Sequence, residues 1–303
     1  MINEINYHGW KALELETEKV SLIAPLDVGP RILGCSLKGK DNLFFSDESQ
    51  LGKSGESEFC LRGGHRLWHS PEDPVRTYET DNDAVEYVVN GDSFTLTGAP
   101  EKNSGMQKII HVEKIDEQTF KLTHHLKNHG VWNVDCSAWC LTVMAHGGQC
   151  VIPLPPKGSH TTDLLPNSTI IPWTYTDFAK DCWRFHDAFL RLDSSKVSVP
   201  QKIGISNYPG WSAYYQPSGT FVKYSSLVSG VEYPDFNSAF EAFGNEDILE
   251  LETLSPLIKL QPGKSIEHVE YWGVLDGIKE PSSTESYSSS LKPAVQSWLN
   301  TLP

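Results

Sequence analysis

The densest group of residues that could bind a ligand or move protons lies between residues 60 and 72. It contains His65 and His69, and histidine is the side chain best suited to act as an acid or base near neutral pH. It also contains residues that could hold a polyhydroxylated ring by hydrogen bonds and stacking, namely Arg62, Arg66 and Trp68. Gly63 and Gly64 favour a loop, and binding residues concentrate on loops held by a rigid scaffold. The alternative is a structured surface loop whose cations pair with neighbouring acids.

A pair of acids, Glu250 and Glu252, forms a second candidate group. Side chains alternate between the faces of a β-strand, so the two glutamates share one face, opposite Leu249 and Leu251. Two adjacent like charges tend to raise one pKa, which suits a general base. The alternative is that both acids lie on a solvated strand face.

Further candidates lie on or near apolar strands. Trp139 belongs to such a strand and His146 follows it, while Lys223 belongs to a region rich in aromatic and basic residues that runs from Lys202 to Asp235. Each of these residues could line a cavity or could belong to the core and its rim. Trp139, His146 and Lys223 are therefore candidate substrate-binding residues beside Arg62, Arg66, Trp68 and Glu250.

Motifs for cofactors and metals are missing from the sequence. It has no P-loop, no GxGxxG and no GxSxG, so nucleotide, dinucleotide and serine-hydrolase chemistry lack support. His65 and His69 have i,i+4 spacing but no HExxH pattern, and the six cysteines form no CxxC pair. We therefore expect no metal, no cofactor and reduced, buried thiols.

The charge balance restricts the classes of partner. The net charge is −14, and the 25 Lys and Arg residues form no basic cluster, so we expect no nucleic-acid partner. No apolar run is long enough to span a bilayer, and residues 1–10 contain no apolar core of a signal peptide. These features predict a cytoplasmic protein without a membrane partner, whose ligand is a small molecule.

Short segments of alternating hydrophobicity, separated by Gly, Pro and Asn, run along most of the chain. This pattern predicts well over a dozen strands joined by hairpins, with Asn90-Gly91 as a strong turn signal. The only convincing helix is predicted at residues 291–302, after a Ser-rich connector at 280–290, and we expect it to cap the sheets. The predicted fold is all-β, a large antiparallel β-sandwich forming one domain over residues 1–303.

Three segments carry a resemblance to a known family. Residues 20–45 contain the turn Gly29-Pro30-Arg31-Ile32 between two strands, and Gly63-Gly64-His65 follows. Near the C-terminus, Leu251-Glu252-Thr253 precedes Leu260-Gln261-Pro262-Gly263 and a strand through Tyr271-Trp272. In this order and spacing, from Trp10 to Asp276, the chain resembles the aldose 1-epimerases of the galactose mutarotase-like superfamily, and it looks like a divergent, poorly characterised branch.

The resemblance implies a β-supersandwich with a sugar site on the concave face of the large sheet. It implies a cofactor-free isomerase in which Glu252 takes the proton of the anomeric hydroxyl and a histidine, His65 or His69, protonates the ring oxygen. The family's mid-chain His-x-Tyr-Phe segment is missing, and Trp139 or His146 stands near its place. The charges of Arg62, Arg66 and Lys223 would permit an acidic or sulfated sugar.

Two other functions fit the same scaffold. A non-catalytic carbohydrate-binding protein would explain the missing segment, because a fold does not determine a function. A polysaccharide-active hydrolase or lyase could use two carboxylates such as Glu250 and Glu252, about 7 Å apart by strand rise. The oligomeric state, monomer or homodimer, is left open by the sequence.

Overall fold

The computed structural model describes residues 1–206 and 208–303. The strands of the N-terminal half are β1 (Ile2–Tyr7), β2 (Trp10–Glu16), β3 (Val20–Pro25), β4 (Arg31–Ile32), β5 (Gly34–Leu37), β6 (Gly64–Ser70), β7 (Glu86–Asn90), β8 (Ser93–Thr97), β9 (Met106–Lys114), β10 (Thr119–Asn128) and β11 (Val134–Met144). Those of the C-terminal half are β12 (Gln149–Pro153), β13 (Ile170–Pro172), β14 (Trp183–Phe185), β15 (Phe189–Asp193), β16 (Gln201–Ile205), β17 (Trp211–Gln216), β18 (Gly219–Tyr224), β19 (Phe240–Gly244), β20 (Leu249–Leu254), β21 (Ile258–Leu260) and β22 (Ser265–Leu275).

These strands form three antiparallel sheets. The largest has ten strands in the order β14-β15-β12-β17-β18-β22-β10-β9-β8-β7. A second sheet follows the path β13-β16-β19-β20-β11-β6-β4, with β21 pairing with β11 off this path, and a third has the order β1-β2-β3-β5. The prediction of an all-β antiparallel sandwich is confirmed.

The core lies between the ten-stranded sheet and the sheet that contains β20 and β11. Leu122 of β10 and Leu251 of β20 belong to the same cluster of fully buried side chains. Successive residues of a strand face opposite sides of the sheet, so the residues directly before and after Leu122 and Leu251 point to the outer faces. The outer face of the sheet with β20 and β11 carries a small separate cluster of Trp68, Trp139, Leu141 and Leu254.

A helical segment near the C-terminus covers the outer face of the ten-stranded sheet. It consists of Thr284–Ser286, a π-helical stretch Tyr287–Leu291 and the α-helix Lys292–Leu299. Trp298 packs over Gly273, where a Cβ would lie 2.6 Å from the indole, and its Nε1 donates to Thr119 Oγ1 at 3.0 Å. The segment therefore caps the sandwich, as expected. No helix among the described residues is both long and apolar enough to cross a membrane.

This segment begins earlier and ends earlier than the sequence predicted. Ser283 caps it by accepting a hydrogen bond from the Ser286 backbone N–H, and helical geometry ends at Leu299. Serine is a favoured N-cap residue, so the Ser-rich stretch belongs partly to the helix start rather than to a connector.

Candidate functional site

Five neighbouring strands present polar and aromatic side chains on the outer face of the sheet with β20 and β11. The period-two alternation of β20 puts Glu250 and Glu252 on one face of the strand, as predicted. That face is the outer one, while Leu249 and Leu251 enter the core. The register pairs Glu252 with Glu241 of β19 on one side. The side chains that β16, β19, β20, β11 and β6 bring together are Lys202, Glu241, Glu250, Glu252, Trp139, Arg66 and Trp68.

A buried cation lies at the centre of this group. The Lys202 Nζ is 2.8 Å from Glu241 Oε2 and 2.9 Å from Glu252 Oε2. It also lies 4.7 Å from the ring centroid of Trp139 and 4.8 Å from that of Trp173. Burial alone would lower the pKa of Lys202, but the two carboxylates outweigh this effect and hold the pKa well above its ordinary value.

The two oxygens of Glu252 have different surroundings. Oε2 accepts hydrogen bonds from Trp139 Nε1 at 2.7 Å and from Lys202 Nζ at 2.9 Å. Oε1 is buried and has no hydrogen-bond partner among the described residues. Buried polar atoms are normally paired, so this oxygen is a free acceptor inside a structured site.

A second ion pair lies beside the first. Arg66 Nη2 donates to Glu250 Oε1 at 3.0 Å, and the guanidinium lies 4.3 Å from the ring centroid of Trp68. The Nε and Nη1 of Arg66 are buried without a partner in the described part of the chain. Burial raises the pKa of Glu250, and the charge of Arg66 opposes this shift.

Both ion pairs border a pocket of about 250 Å³. Its walls are largely aromatic, and Glu72 adds a further carboxylate to the rim. The lining consists of Phe59, Leu61, Arg66, Trp68, Glu72, Tyr78, Trp139, Leu141, Tyr175, Lys202, Phe243, Ile248 and Glu250. Aromatic walls with a few fixed polar groups are typical of small-ligand sites. Glu252 lies behind this lining, in contact with Trp139 and Lys202.

Two larger hollows lie elsewhere on the surface. One, of about 610 Å³, lies along residues 156–167, and the other, of about 680 Å³, lies near Tyr7 and Asn42. Neither contains a residue that the sequence identified as a site candidate. The pocket beside Lys202, in contrast, is lined by predicted site residues.

The predicted pairing of Glu252 with His65 or His69 is not present. Residues 64–70 form the buried strand β6 rather than a loop, so Arg66 and Trp68 face the pocket while both histidines face the opposite side. His65 contacts His124 across the core, with 2.8 Å between the two Nε2 atoms. His69 lies 3.9 Å from Glu101, and burial lowers its pKa to about 4.

His65 belongs to a buried polar network between the sheets. Its Nδ1 lies 2.9 Å from Thr142 Oγ1, which also accepts from Lys223 Nζ at 3.0 Å. Lys223 forms an ion pair with Glu270 at 2.9 Å, and both side chains are fully buried. Lys223, a predicted substrate-binding residue, is therefore a core residue outside the pocket.

This network contains the residue types of a metal site, in the groups His65, His124, Glu270 and Cys140, His268, Glu270. The carboxylate that both groups share already has three donors, however. Glu270 accepts from Lys223 and Thr253 through Oε1 and from Trp272 Nε1 at 2.8 Å through Oε2. Because an ammonium neutralises Glu270, we interpret the network as a structural set of hydrogen bonds rather than a metal centre.

Two further candidates lie away from the pocket. Arg62 is fully buried, donates to the backbone carbonyls of Gln50 and Lys53 at 2.9 Å each, and pairs with Glu56. It therefore organises its own loop. His146 is exposed in the turn between β11 and β12.

Of the predicted residues, the structure brings Arg66, Trp68, Trp139, Glu250 and Glu252 together. Sequence reasoning did not identify Glu241, Tyr78 or Tyr175, and it named Glu72 only as the end of the group at residues 60–72. Glu241 carried a usable signal, since it is the single acid of the apolar strand β19. Glu72, Tyr78 and Tyr175 lie in loops, where no periodicity indicates which way a side chain points.

Comparison with known proteins relates this chain to others through its fold. No family model matches the sequence, and no curated protein matches it. A candidate aldose 1-epimerase from Klebsiella pneumoniae is similar with a TM-score of 0.60 and 13% identity, over 97% of this chain and 87% of the other. A galactose mutarotase-like protein from Lactobacillus casei gives a TM-score of 0.58 and 7% identity, over 87% and 99%.

A third similar structure is longer. It is a TPR-domain containing protein from Parabacteroides distasonis, with a TM-score of 0.60 and 15% identity over 90% of this chain, which spans 48% of that protein. Identities this low bear on the fold alone. The chain has the galactose mutarotase-like β-sandwich fold, and the resemblance drawn from the sequence is confirmed at the level of the fold.

Proposed function

We propose that this protein binds a sugar in the pocket beside Lys202 and exchanges its anomers, as an aldose 1-epimerase-type isomerase. The observation that carries the proposal is the environment of Glu252. One carboxylate oxygen is fixed by Trp139 and Lys202, while the other is buried and free to accept a proton. A general base needs such an oriented, unsatisfied acceptor next to a ligand space.

The pocket lining supplies groups suited to a sugar. Trp68 and Trp139 offer apolar ring surfaces against which a pyranose can stack. The free Nε and Nη1 of Arg66 can donate to hydroxyl oxygens, and Glu250 can accept from hydroxyl groups. Fixed donors and acceptors beside aromatic surfaces orient a polyol without any cofactor.

The chemical step needs one base and one acid. Glu252 takes the proton of the anomeric hydroxyl, a donor protonates the ring oxygen, and the bond between C1 and the ring oxygen breaks. The resulting aldehyde rotates and the ring closes on its other face, while both protons return. His65 and His69 lie on the face of β6 that points away from the pocket, so in this proposal the proton donor is a group other than these two histidines.

Glu252 is covered in the free protein. Trp139 and Lys202 both line the pocket and both contact Glu252, so they separate its carboxylate from the ligand space. A sugar hydroxyl reaches Oε1 only if the Lys202 side chain moves aside. Because Trp139 and Lys202 separate the Glu252 carboxylate from the ligand space, a second candidate function is a carbohydrate-binding protein without catalysis.

The test is to add purified protein to freshly dissolved single anomers of neutral, acidic and 6-substituted sugars and follow anomer exchange by NMR. Glu252→Gln is compared with the parent, and Glu246→Gln, which changes an exposed acid outside the pocket, is the matched control. We expect acceleration by the parent and the control, and a rate lower by about 10²–10⁴-fold for Glu252→Gln.

The outcomes separate the two candidate functions. Acceleration that vanishes only in Glu252→Gln supports the isomerase. Broadened sugar signals without acceleration by any form would support the binding protein instead. Equal acceleration by all three forms would remove Glu252 from the mechanism.

A further inference from the structure

A single ammonium group lies between the proposed base and the ligand space. Lys202 lines the pocket, and its Nζ lies 2.9 Å from Glu252 Oε2 and 2.8 Å from Glu241 Oε2. An ammonium carries three N–H groups, and the described residues offer carboxylate oxygens to two of them. The third N–H is therefore free to donate to an oxygen atom of a ligand.

The backbone of Lys202 is fixed, so the ammonium moves only through its side chain. Lys202 O accepts a hydrogen bond from Trp173 N at 3.2 Å, and Lys202 N donates to Thr176 Oγ1 at 3.3 Å. The ammonium itself lies between the rings of Trp139 and Trp173, at 4.7 and 4.8 Å from their centroids. Aromatic faces attract a cation without a directional hydrogen bond, so rotation of the methylene chain can move the ammonium while β16 stays in place.

The reaction requires an acid and a base that are neighbours. The anomeric hydroxyl and the ring oxygen are both bonded to C1, so the groups that serve them must lie within a few ångströms of each other. Lys202 Nζ and Glu252 Oε2 are 2.9 Å apart in the free protein. Movement of the ammonium from Glu252 to the ring oxygen would deliver an acid and, at the same time, uncover the base.

Other proton carriers of the pocket do not have this position. Arg66 keeps its proton at any working pH and pairs with Glu250. Tyr78 donates its hydroxyl hydrogen to Glu72, and Tyr175 is 44% exposed. Of the pocket-lining side chains that the structure describes, Lys202 is the one that combines a removable proton with a hydrogen bond to the proposed base.

The charge of Glu252 controls how firmly Lys202 holds its proton. Burial lowers the pKa of Lys202, but the carboxylates of Glu241 and Glu252 outweigh this effect and hold the pKa well above its ordinary value. The ammonium therefore keeps its proton at neutral pH. When Glu252 takes the anomeric proton it becomes neutral, and one of the two attractions disappears. The pKa of Lys202 then falls at the moment when the ring oxygen develops negative charge.

We infer that Lys202 is the catalytic acid of this site and gives its proton to the ring oxygen. The inference rests on the proposed epimerase function. In ring opening, Glu252 takes the proton of the anomeric hydroxyl and that oxygen forms a double bond to C1. The bond between C1 and the ring oxygen breaks, its electron pair stays on the ring oxygen, and the proton of Lys202 joins it there.

Ring closure reverses these transfers on the other face of the aldehyde. The hydroxyl returns its proton to the Lys202 amine as its oxygen attacks C1, and Glu252 protonates the carbonyl oxygen. Both side chains regain their starting charges, so no co-reactant is consumed.

The first test replaces Lys202 with arginine. Arginine keeps a cation between the two carboxylates but does not release its proton at any working pH. Anomer exchange is followed by NMR with single anomers of neutral, acidic and 6-substituted sugars, and urea unfolding checks that each protein is folded. We expect kcat of Lys202→Arg to fall by about 10²–10⁴-fold with little change in KM. Lys196→Arg, at an exposed position, is the matched control and should behave as the parent does.

The second test keeps Lys202 and changes its pKa. Glu241→Gln removes one of the two carboxylates that raise this pKa and leaves Glu252 in place. The acid then loses its proton at a lower pH, so we expect the alkaline decline of kcat to move to lower pH than in the parent. A Lys202 that only neutralises charge would leave the pH profile unchanged.

Three results would overturn the inference, and they are distinguishable from one another. A folded Lys202→Arg with the kcat of the parent would reject the proton transfer while leaving the epimerase standing. A pH profile of Glu241→Gln that superimposes on that of the parent would do the same, even if Lys202→Arg does not fold. No anomer exchange by the parent with any sugar would reject the epimerase and the acid with it.

Discussion

Glu241 and Glu252 lie opposite each other on adjacent antiparallel strands, and the Lys202 ammonium joins them, at 2.8 Å from one and 2.9 Å from the other. Like charges directly opposite in a sheet destabilise it unless a counterion intervenes. Lys202 supplies that counterion from the next strand, β16. Stability and the proposed chemistry therefore depend on the same side chain.

Replacing Lys202 with Met should destabilise the protein strongly at neutral pH. The change leaves two buried carboxyl groups without their cation, and breaking a buried pair costs about 3–5 kcal/mol. The loss should shrink as the pH falls, because protonation removes the uncompensated charges. Unfolding by urea at pH 5 and pH 8 measures both effects. Lys196→Met, at an exposed position, is the control, and equal loss at both pH values would contradict the explanation.

Trp139→Phe tests the orientation of Glu252. Phenylalanine keeps an aromatic wall but removes the N–H that donates to Glu252 Oε2 at 2.7 Å. We expect a loss of stability of about 1–3 kcal/mol, as for a buried hydrogen bond to a charged group. We also expect kcat for anomer exchange to fall more than sugar affinity. The same substitution at Trp132, which is 79% exposed, should change neither quantity.

Acid should destabilise the protein through its buried histidines from about pH 6.5 downward. Burial lowers the pKa of His65 and His124, and it lowers the pKa of His268 to about 3. The unfolded chain takes up a proton at each histidine near pH 6.5, about the ordinary value, whereas the folded protein does not. Stability contributed by these residues is thus present above pH 6.5 and is lost as the pH falls below it.

The expected loss is about 1.4 kcal/mol per pH unit for each histidine that stays neutral in the folded state. The free energy of unfolding measured at pH 7, 6 and 5 gives the slope. His268→Asn should reduce that slope, while the exposed His160→Asn should leave it unchanged. A slope that His268→Asn does not alter would mean that this residue is protonated in the fold.

Phe236→Gly should stabilise the fold. Phe236 is 85% exposed, so its ring contributes little burial, yet its φ of 60° is disfavoured for a phenylalanine. Glycine adopts this conformation freely, and we expect a gain of about 1 kcal/mol in the free energy of unfolding. Phe236→Ala retains the Cβ and should give no gain. A gain with alanine as well would place the effect in the exposed ring rather than in the backbone.

The sequence by itself determined the local features of this protein. Alternating hydrophobicity was enough to predict an all-β fold, because the period of a strand is a property of its own residues. The same alternation was enough to place Glu250 and Glu252 on one face. The helix that caps the sandwich was also predictable, although the serine that begins it was assigned to a connector.

Only the tertiary structure decided which side chains meet. Alternation states that His65 and Arg66 face opposite ways, but the packing of the two sheets decides that Arg66 faces the pocket and His65 the core. Lys202 reaches Glu252 because β16, β19 and β20 are neighbours in the sheet, a non-local order that no short pattern encodes. The left-handed turn at residues 235–237 packs on the sheet through Ser238, at a place where a Cβ on residue 204 would lie 2.0 Å from the Ser238 Oγ, and that complementarity exists only once both segments are folded.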